Sequence, residues 1–340
     1  LFLVNIAPGI IAALGGAWLL ARSPFVAQVA RQLDALALLA MAAALVALEL
    51  ALKDAPALGW LSLRVGGLLA LSAISAVVFA AKTWRATRPL VNLQNFADRN
   101  FAIGCALSFA LGIGLFGSTY LMPFFLGLVR EMDALAIGKI MLATGIAQLL
   151  SAPVAVALEQ RVDARWLSLF GFALFATGLG LSACQTSATG WDDMLLPQIL
   201  RGAGVMFCLL PPTRLALGRL AEAQVADASG LFNLMRNLGG AIGLALIDTV
   251  IFARSATHAD QIVAQLKAGN IATAVSIGIP REAFIANIGQ PLDGFTQRVV
   301  EAMVRKAALV PAINEAWGLI ALLTLAPLLL LPFVKKAAAR

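Results

Sequence analysis

Ser229-Gly230-Leu231-Phe232-Asn233-Leu234-Met235-Arg236-Asn237-Leu238-Gly239-Gly240-Ala241-Ile242-Gly243-Leu244 decides what kind of protein this chain is. An arginine flanked by asparagines sits inside an apolar run, and glycines follow at once. In a bilayer, a charge at depth costs on the order of 3 kcal/mol or more and is kept where it has a partner or a cavity. Asn233 and Asn237 are one helical turn apart and share a face, with Arg236 adjacent to both. Gly239 and Gly243 form a small-xxx-small pair that lets a neighbouring backbone approach. Two readings stand for Asn233, Arg236, Asn237, Gly239 and Gly243: a gate at one end of a helix bundle, or a packed helix junction.

The rest of the chain agrees with lipid as the solvent. Of 340 residues, 61% are hydrophobic and 13% charged, and the mean hydropathy is +0.89. A soluble domain carries about 25% charged residues. A single core cannot hide this much apolar surface at this length. The net charge of +7 raises nucleic acid as a partner, but its placement in loops points to membrane orientation instead. There is one histidine, His258, and one tyrosine, Tyr120. That argues against histidine metal clusters and leaves little for a catalytic triad, so an enzyme is not expected. Cys105, Cys184 and Cys208 have no metal-ligand or disulfide spacing.

Nine apolar stretches are long enough to span about 30 Å of hydrocarbon. They cover 1–20, 35–52, 59–81, 101–125, 135–158, 166–184, 194–217, 228–252 and 314–334. One set of loops holds Arg22, Arg31, Lys82, Arg85, Arg88, Arg99, Arg161, Arg165, Arg214, Arg219, Lys335, Lys336 and Arg340. The alternate short loops hold Lys53 and Arg130 alone. This asymmetry predicts a cytoplasmic C-terminus. A chain of nine spans ending inside begins outside. With Leu1 in place of Met, it reads as the back part of a longer protein. Residues 82–100 read as a basic cytoplasmic connector. Residues 253–313 read as a long outer segment, either a helical hairpin at or above the interface or a flexible loop with two nascent helices.

A transporter needs polar groups facing an internal cavity. Phe109, Phe116 and Tyr120 fall on one stripe of the 101–125 span, suited to a greasy pocket for a flat organic molecule. Ordinary core or lipid-facing aromatics are the alternative. Gln148, Gln198 and Arg201 are further pocket candidates; Arg201 lies about 10 Å in from the outer edge by helical rise. Bracing of two helices is the other reading of Arg201. Asp248, on a neighbouring span, is its guessed partner. No carboxylate lies near the middle of any span, although a proton-driven exporter needs one that protonates inside the membrane.

The run Ser229–Leu244 resembles the "LFN-x-x-RN-x-GG-x-x-G" run in the penultimate helix of the 14-helix drug:proton antiporters of the major facilitator superfamily, the EmrB/QacA type. Leu200-Arg201-Gly202-Ala203-Gly204 resembles their "RG-x-G" helix. Arg88-Pro89-Leu90-Val91-Asn92-Leu93, followed by Asp98-Arg99-Asn100-Phe101, resembles their connector. Phe2-Leu3-Val4-Asn5-Ile6-Ala7-Pro8-Gly9 resembles the start of their sixth helix. The loop holding Glu159, Arg161, Asp163 and Arg165 resembles their cytoplasmic "DR-x-D-x-R" loop, with Gln160 where the family usually has Asp.

The resemblance implies an all-α polytopic membrane protein. Residues 1–20 are then the last helix of the N-terminal lobe, 35–81 two extra linker helices, and 101–334 the six-helix C-terminal lobe. Fourteen helices less nine leaves five ahead of Leu1, where the proton-coupling carboxylates are expected. The implied activity is proton-coupled efflux of hydrophobic or cationic compounds by alternating access, with the proton gradient as driving force and no cofactor. The implied partners are a small-molecule substrate, the bilayer and a periplasmic adaptor protein, without nucleic acid or metal. Export of a siderophore, metabolite or fatty acid is the alternative, and a non-transporting membrane sensor is a further one.

Overall fold

The computed structural model describes residues 6–19, 34–86, 91–287 and 294–335. Arg88-Pro89-Leu90, Phe2–Asn5 and several basic loop residues of the sequence reading lie outside the described residues. All regular structure among the described residues is helical. Eight helices are long and apolar enough to cross a membrane. The first of the nine expected spans is seen as a shorter helix, α1 (Ile6–Leu19), which buries none of its residues.

Helices α2 (Ala35–Leu58) and α3 (Leu63–Arg85) form a hairpin. Asp34 caps α2 by accepting from the Leu36 and Ala37 amides at 3.0 and 3.1 Å. The span predicted to stop at residue 52 continues to Leu58, with Pro56 inside it. Gly59, at φ 86°, makes the reversal that an L side chain resists. Ala37, Ala40, Ala44, Ala47, Ala51 and Ala55 are buried along one stripe of α2. Small side chains at that spacing bring α3 close enough for Ser72 Oγ to donate to the Ala44 carbonyl at 2.8 Å. The connector is shorter than predicted, because α3 runs on to Arg85.

The remaining spans form one bundle: α4 (Arg99–Leu128), α5 (Ala134–Glu159), α6 (Ala164–Leu181), α7 (Trp191–Leu217), α8 (Glu222–Lys267) and α11 (Gly294–Leu325). Helix α4 runs through its centre, with Leu107, Leu121, Met122, Phe125 and Leu126 fully buried. The sequence Asp98-Arg99-Asn100-Phe101 acts as a clamp at the basic end. Asp98 caps α4 through the Phe101 amide at 2.9 Å. Asn100 exchanges two hydrogen bonds with the Lys335 backbone, at 2.9 and 3.0 Å. Arg99 lies over the Phe333 ring.

Among the described residues, the segment 253–313 is mostly helical. Its two long arms are the spans themselves, continued without a break. Helix α8 is 46 residues long, about 69 Å at the α-helical rise, more than twice a hydrocarbon core. From Ala253 to Lys267 there is neither glycine nor proline, so nothing ends the helix before Gly269 at φ 75°. Helix α11 begins at Gly294 and passes through Pro311 into the last span. Short helices α9 (Ile271–Ser276) and α10 (Arg281–Ala286) follow α8. The arms are tied by Glu315, which takes Arg254 in two bonds of 2.5 and 2.9 Å and His258 Nε2 at 2.8 Å. Lys306 reaches Glu131 in the α4–α5 turn at 2.6 Å.

Candidate functional site

The glycine-rich run that decides the fold forms the α4–α8 seam. A Cβ on Gly239 would lie 2.0 Å from the Phe109 carbonyl oxygen, and one on Gly112 would lie 1.9 Å from that of Arg236. Gly243 meets the Ile113 Cα at 3.0 Å in the same sense. Ser108 Oγ donates to the Phe232 carbonyl at 3.1 Å, one turn further along. Arg236 is half-buried and donates to the Asn233 side chain. Asn233 is exposed and bonds back to the Ser229 carbonyl at 2.9 Å. Asn237 is exposed and lines the open side of the seam.

That open side is a cleft of about 420 Å³ between α2, α4 and α8. Phe116, Gly240, Ala241, Leu244 and Ala245 make its apolar wall, and Asn237, Asp248, Glu49 and Lys53 its polar positions. Gly240 is needed here as well, since a Cβ on it would strike the Phe116 ring at 2.3 Å. Of the aromatic stripe, Phe116 faces the cleft and Tyr120 stands beside it. Phe109 belongs to the helix seam through its backbone. Tyr120 Oη donates to Asp248 Oδ1 at 2.9 Å, and its ring packs on Phe124 with centroids 5.6 Å apart. The guessed pair of Asp248 with Arg201 is therefore replaced by Asp248 with Tyr120. The turn between α2 and α3 is fixed next to this acid, because Trp60 Nε1 donates to Thr249 Oγ1 at 3.1 Å.

Arg201 and Gln198 lie elsewhere, and their reading as pocket-lining residues is corrected. Arg201 is 3% exposed and Gln198 0%. The glycines of the Leu200–Gly204 run explain why. A Cβ on Gly202 would lie 2.2 Å from the Thr144 carbonyl oxygen on α5, and one on Gly204 would lie 2.9 Å from Phe175 on α6. Gly178 on α6 leaves room for the Arg201 stem, 2.7 Å from where its Cβ would be. Two neighbouring helices thus close over the arginine. Gln198 Oε1 accepts from both Arg201 and the Thr144 hydroxyl, and the guanidinium sits over the Trp317 ring, 5.2 Å from its centroid. Gln148 is half-exposed on α5 and joins neither group.

In the 159–165 loop, Asp163 caps α6 by accepting from the Arg165 amide at 2.9 Å, with Arg165 Nε 3.9 Å from the same oxygen. Arg214 donates to the Glu159 backbone carbonyl rather than to its carboxylate. Arg161 is exposed. The loop is a helix-capping turn with a basic surface, and among the described residues Glu159 forms no ion pair in it.

Glu49, Lys53, Thr144 and Trp317 were missed by sequence reasoning. The first two come from a linker helix whose docking no spacing reveals. Trp317 sits in α11, one turn past Ile313, and nothing in the sequence marks it as the cover of Arg201.

Apolar crossing helices, a glycine-tight seam, proline-containing spans and a cleft flanked by the α2–α3 hairpin define an all-α polytopic membrane protein of the major facilitator type. No family model matches the chain. It is 35% identical over 269 residues to the colistin resistance protein EmrB of Acinetobacter baumannii, covering 77% of this chain and 51% of that protein. It is 29% identical over 236 residues to the multidrug export protein EmrB of Escherichia coli, covering 68% and 46%. The multidrug export protein EmrB of Haemophilus influenzae is 28% identical over 227 residues, covering 66% and 44%. The chain belongs to the EmrB/QacA-type transporters, and it spans about half the length of the curated relatives it matches.

Proposed function

We propose that this chain belongs to a proton-coupled efflux transporter for hydrophobic, often cationic, organic compounds. The observation that carries this is the Asp248–Tyr120 pair at the edge of a mostly apolar cleft. A carboxylate in that position has two uses that exclude one another: it holds a proton, or it faces a cation. Exchange of one for the other couples export to the proton gradient. The apolar wall of Phe116, Leu244 and Ala245 accepts flat, greasy molecules without demanding a fixed hydrogen-bond pattern. The names of the EmrB relatives support multidrug export over a single metabolite.

The rest of the machine follows the same reading. Alternating access rocks this lobe against a second one around a shared site. The basic loops support a cytoplasmic C-terminus in a bacterial inner-membrane protein. The projecting α8–α11 arms then stand on the far side, where an adaptor protein would dock.

The test is Asp248→Asn in the full-length transporter, reconstituted in vesicles with an imposed pH gradient. Dye efflux driven by the gradient should fall at least tenfold while the protein inserts normally. Gradient-driven efflux at the original rate would refute the assignment.

A further inference from the structure

The surroundings of Arg201 are short of one thing, an acceptor. Among the described residues, Arg201 Nε and Nη1, Gln198 Nε2 and Trp317 Nε1 are all buried without a hydrogen-bond partner. Gln198 touches the guanidinium directly and Trp317 lies beneath it. Four N–H-bearing atoms of one contact group are thus left unpaired. Unmade hydrogen bonds at buried donors are costly, and a buried charge without a counter-charge more so.

The carboxylates on the neighbouring stretches are already engaged. Glu315, on the same helix as Trp317, is held by Arg254 and His258. Asp193, two turns before Arg201, takes the Gly190 amide at 2.9 Å. Asp248 takes Tyr120. Gln198 Oε1 is occupied by Thr144 and Arg201. At 3% exposure Arg201 is also closed to side chains from outside the bundle.

Water does not solve this well. A water accepts from two donors at most and leaves the guanidinium without a counter-charge. A monatomic anion accepts several N–H groups at once, needs no acceptor and neutralises the guanidinium. Access has a visible start. A crevice of about 190 Å³ opens at the ends of α6 and α7, lined by Ser182, Gln185, Thr189, Asp193 and Pro197. Its floor at Pro197 is one helical turn from Arg201 and packs on the same Gly178. We propose that Arg201, Gln198 and Trp317 form a binding site for a small monovalent inorganic anion of the chloride class, buried between α5, α6, α7 and α11.

The test is thermal unfolding of the full-length protein in detergent, at fixed pH and ionic strength, with chloride replacing gluconate. The melting temperature should rise saturably by about 3 °C or more, since a ligand bound only by the folded state stabilises it. Bromide should substitute. Arg201→Gln should abolish the anion-specific rise. Trp317→Phe keeps the guanidinium and the aromatic face and removes one donor, so it decides the matter even if the arginine variant fails to fold. It should weaken half-saturation roughly fivefold, the worth of about one hydrogen bond. No chloride-specific rise, or an unchanged half-saturation in Trp317→Phe, would overturn the site.

Discussion

Trp60 in the turn of the α2–α3 hairpin donates its indole N–H to the Thr249 hydroxyl on α8 across 3.1 Å, one residue past the acid that faces the cleft. Sixty residues into the chain, a turn between two linker helices thereby becomes a wall of the candidate site. Glu49, Leu52 and Lys53 of the same hairpin complete that wall.

Breaking this bond should loosen the hairpin without unfolding the lobe. Trp60→Phe and Thr249→Val should each cost about 1 kcal/mol, the usual net worth of one hydrogen bond. Their double mutant should cost less than the sum, since they share the bond. Thermal unfolding of the four proteins gives the coupling. Additive effects would mean that the contact does not hold the hairpin.

The glycine seam makes a sharper demand. Gly112→Ala and Gly239→Ala each drive a methyl against a backbone oxygen, at 1.9 and 2.0 Å, where no side chain can swing aside. Helices α4 and α8 must separate, which should cost about 3 kcal/mol or more and lower the folded yield sharply. Gly145→Ala on α5 meets nothing within 4 Å and is the matched control. It should be neutral or slightly stabilising, because alanine favours helix. Size-exclusion profiles of the three variants check this, and a well-folded Gly239→Ala would contradict the seam.

The arm of α11 should release with acid. Lys306 holds the Glu131 carboxyl below its usual value of 4.5 through a hydrogen bond and its charge. A carboxyl depressed in the folded state contributes stability that is present above its unfolded value and is lost as pH falls through the folded one. Hydrogen exchange near Lys306 should therefore quicken as pH drops below about 4.5, once the intrinsic pH dependence of exchange is divided out. Glu131→Gln should be equally fast at both ends of that window. The pair is exposed, so the effect should be small and should shrink in high salt.

Much of this was legible because lipid imposes simple rules. Eight apolar runs became long helices, since backbone groups in hydrocarbon must be satisfied within a segment. The Asp98–Phe101 motif is a local device, a helix cap followed by a clamp, and its cap reads from adjacent residues. The glycines at 239 and 243 announced a close approach, because a missing Cβ has few other uses inside a helix. They did not announce the partner. That Phe109 and Ile113 supply the opposing backbone depends on how α4 threads the bundle.

Arg201 and Asp248 show where sequence reasoning stopped. Both are charged residues in apolar helices, both were placed in outer halves, and pairing them was the simplest way to cancel the charges. Whether two helices present such groups to each other depends on their rotation and crossing, which no periodicity within either helix contains. Composition and spacing were enough to show that the chain is built of apolar helices and which glycines let them touch, but not that α8 would run unbroken for 46 residues. Only the tertiary structure decided that Arg201 is sealed beneath Trp317 while Asp248 looks into a cleft with Tyr120. The reason is physical: helix formation and burial in lipid are set by neighbouring residues, whereas the partner of a buried charge is set by packing between helices far apart in the chain.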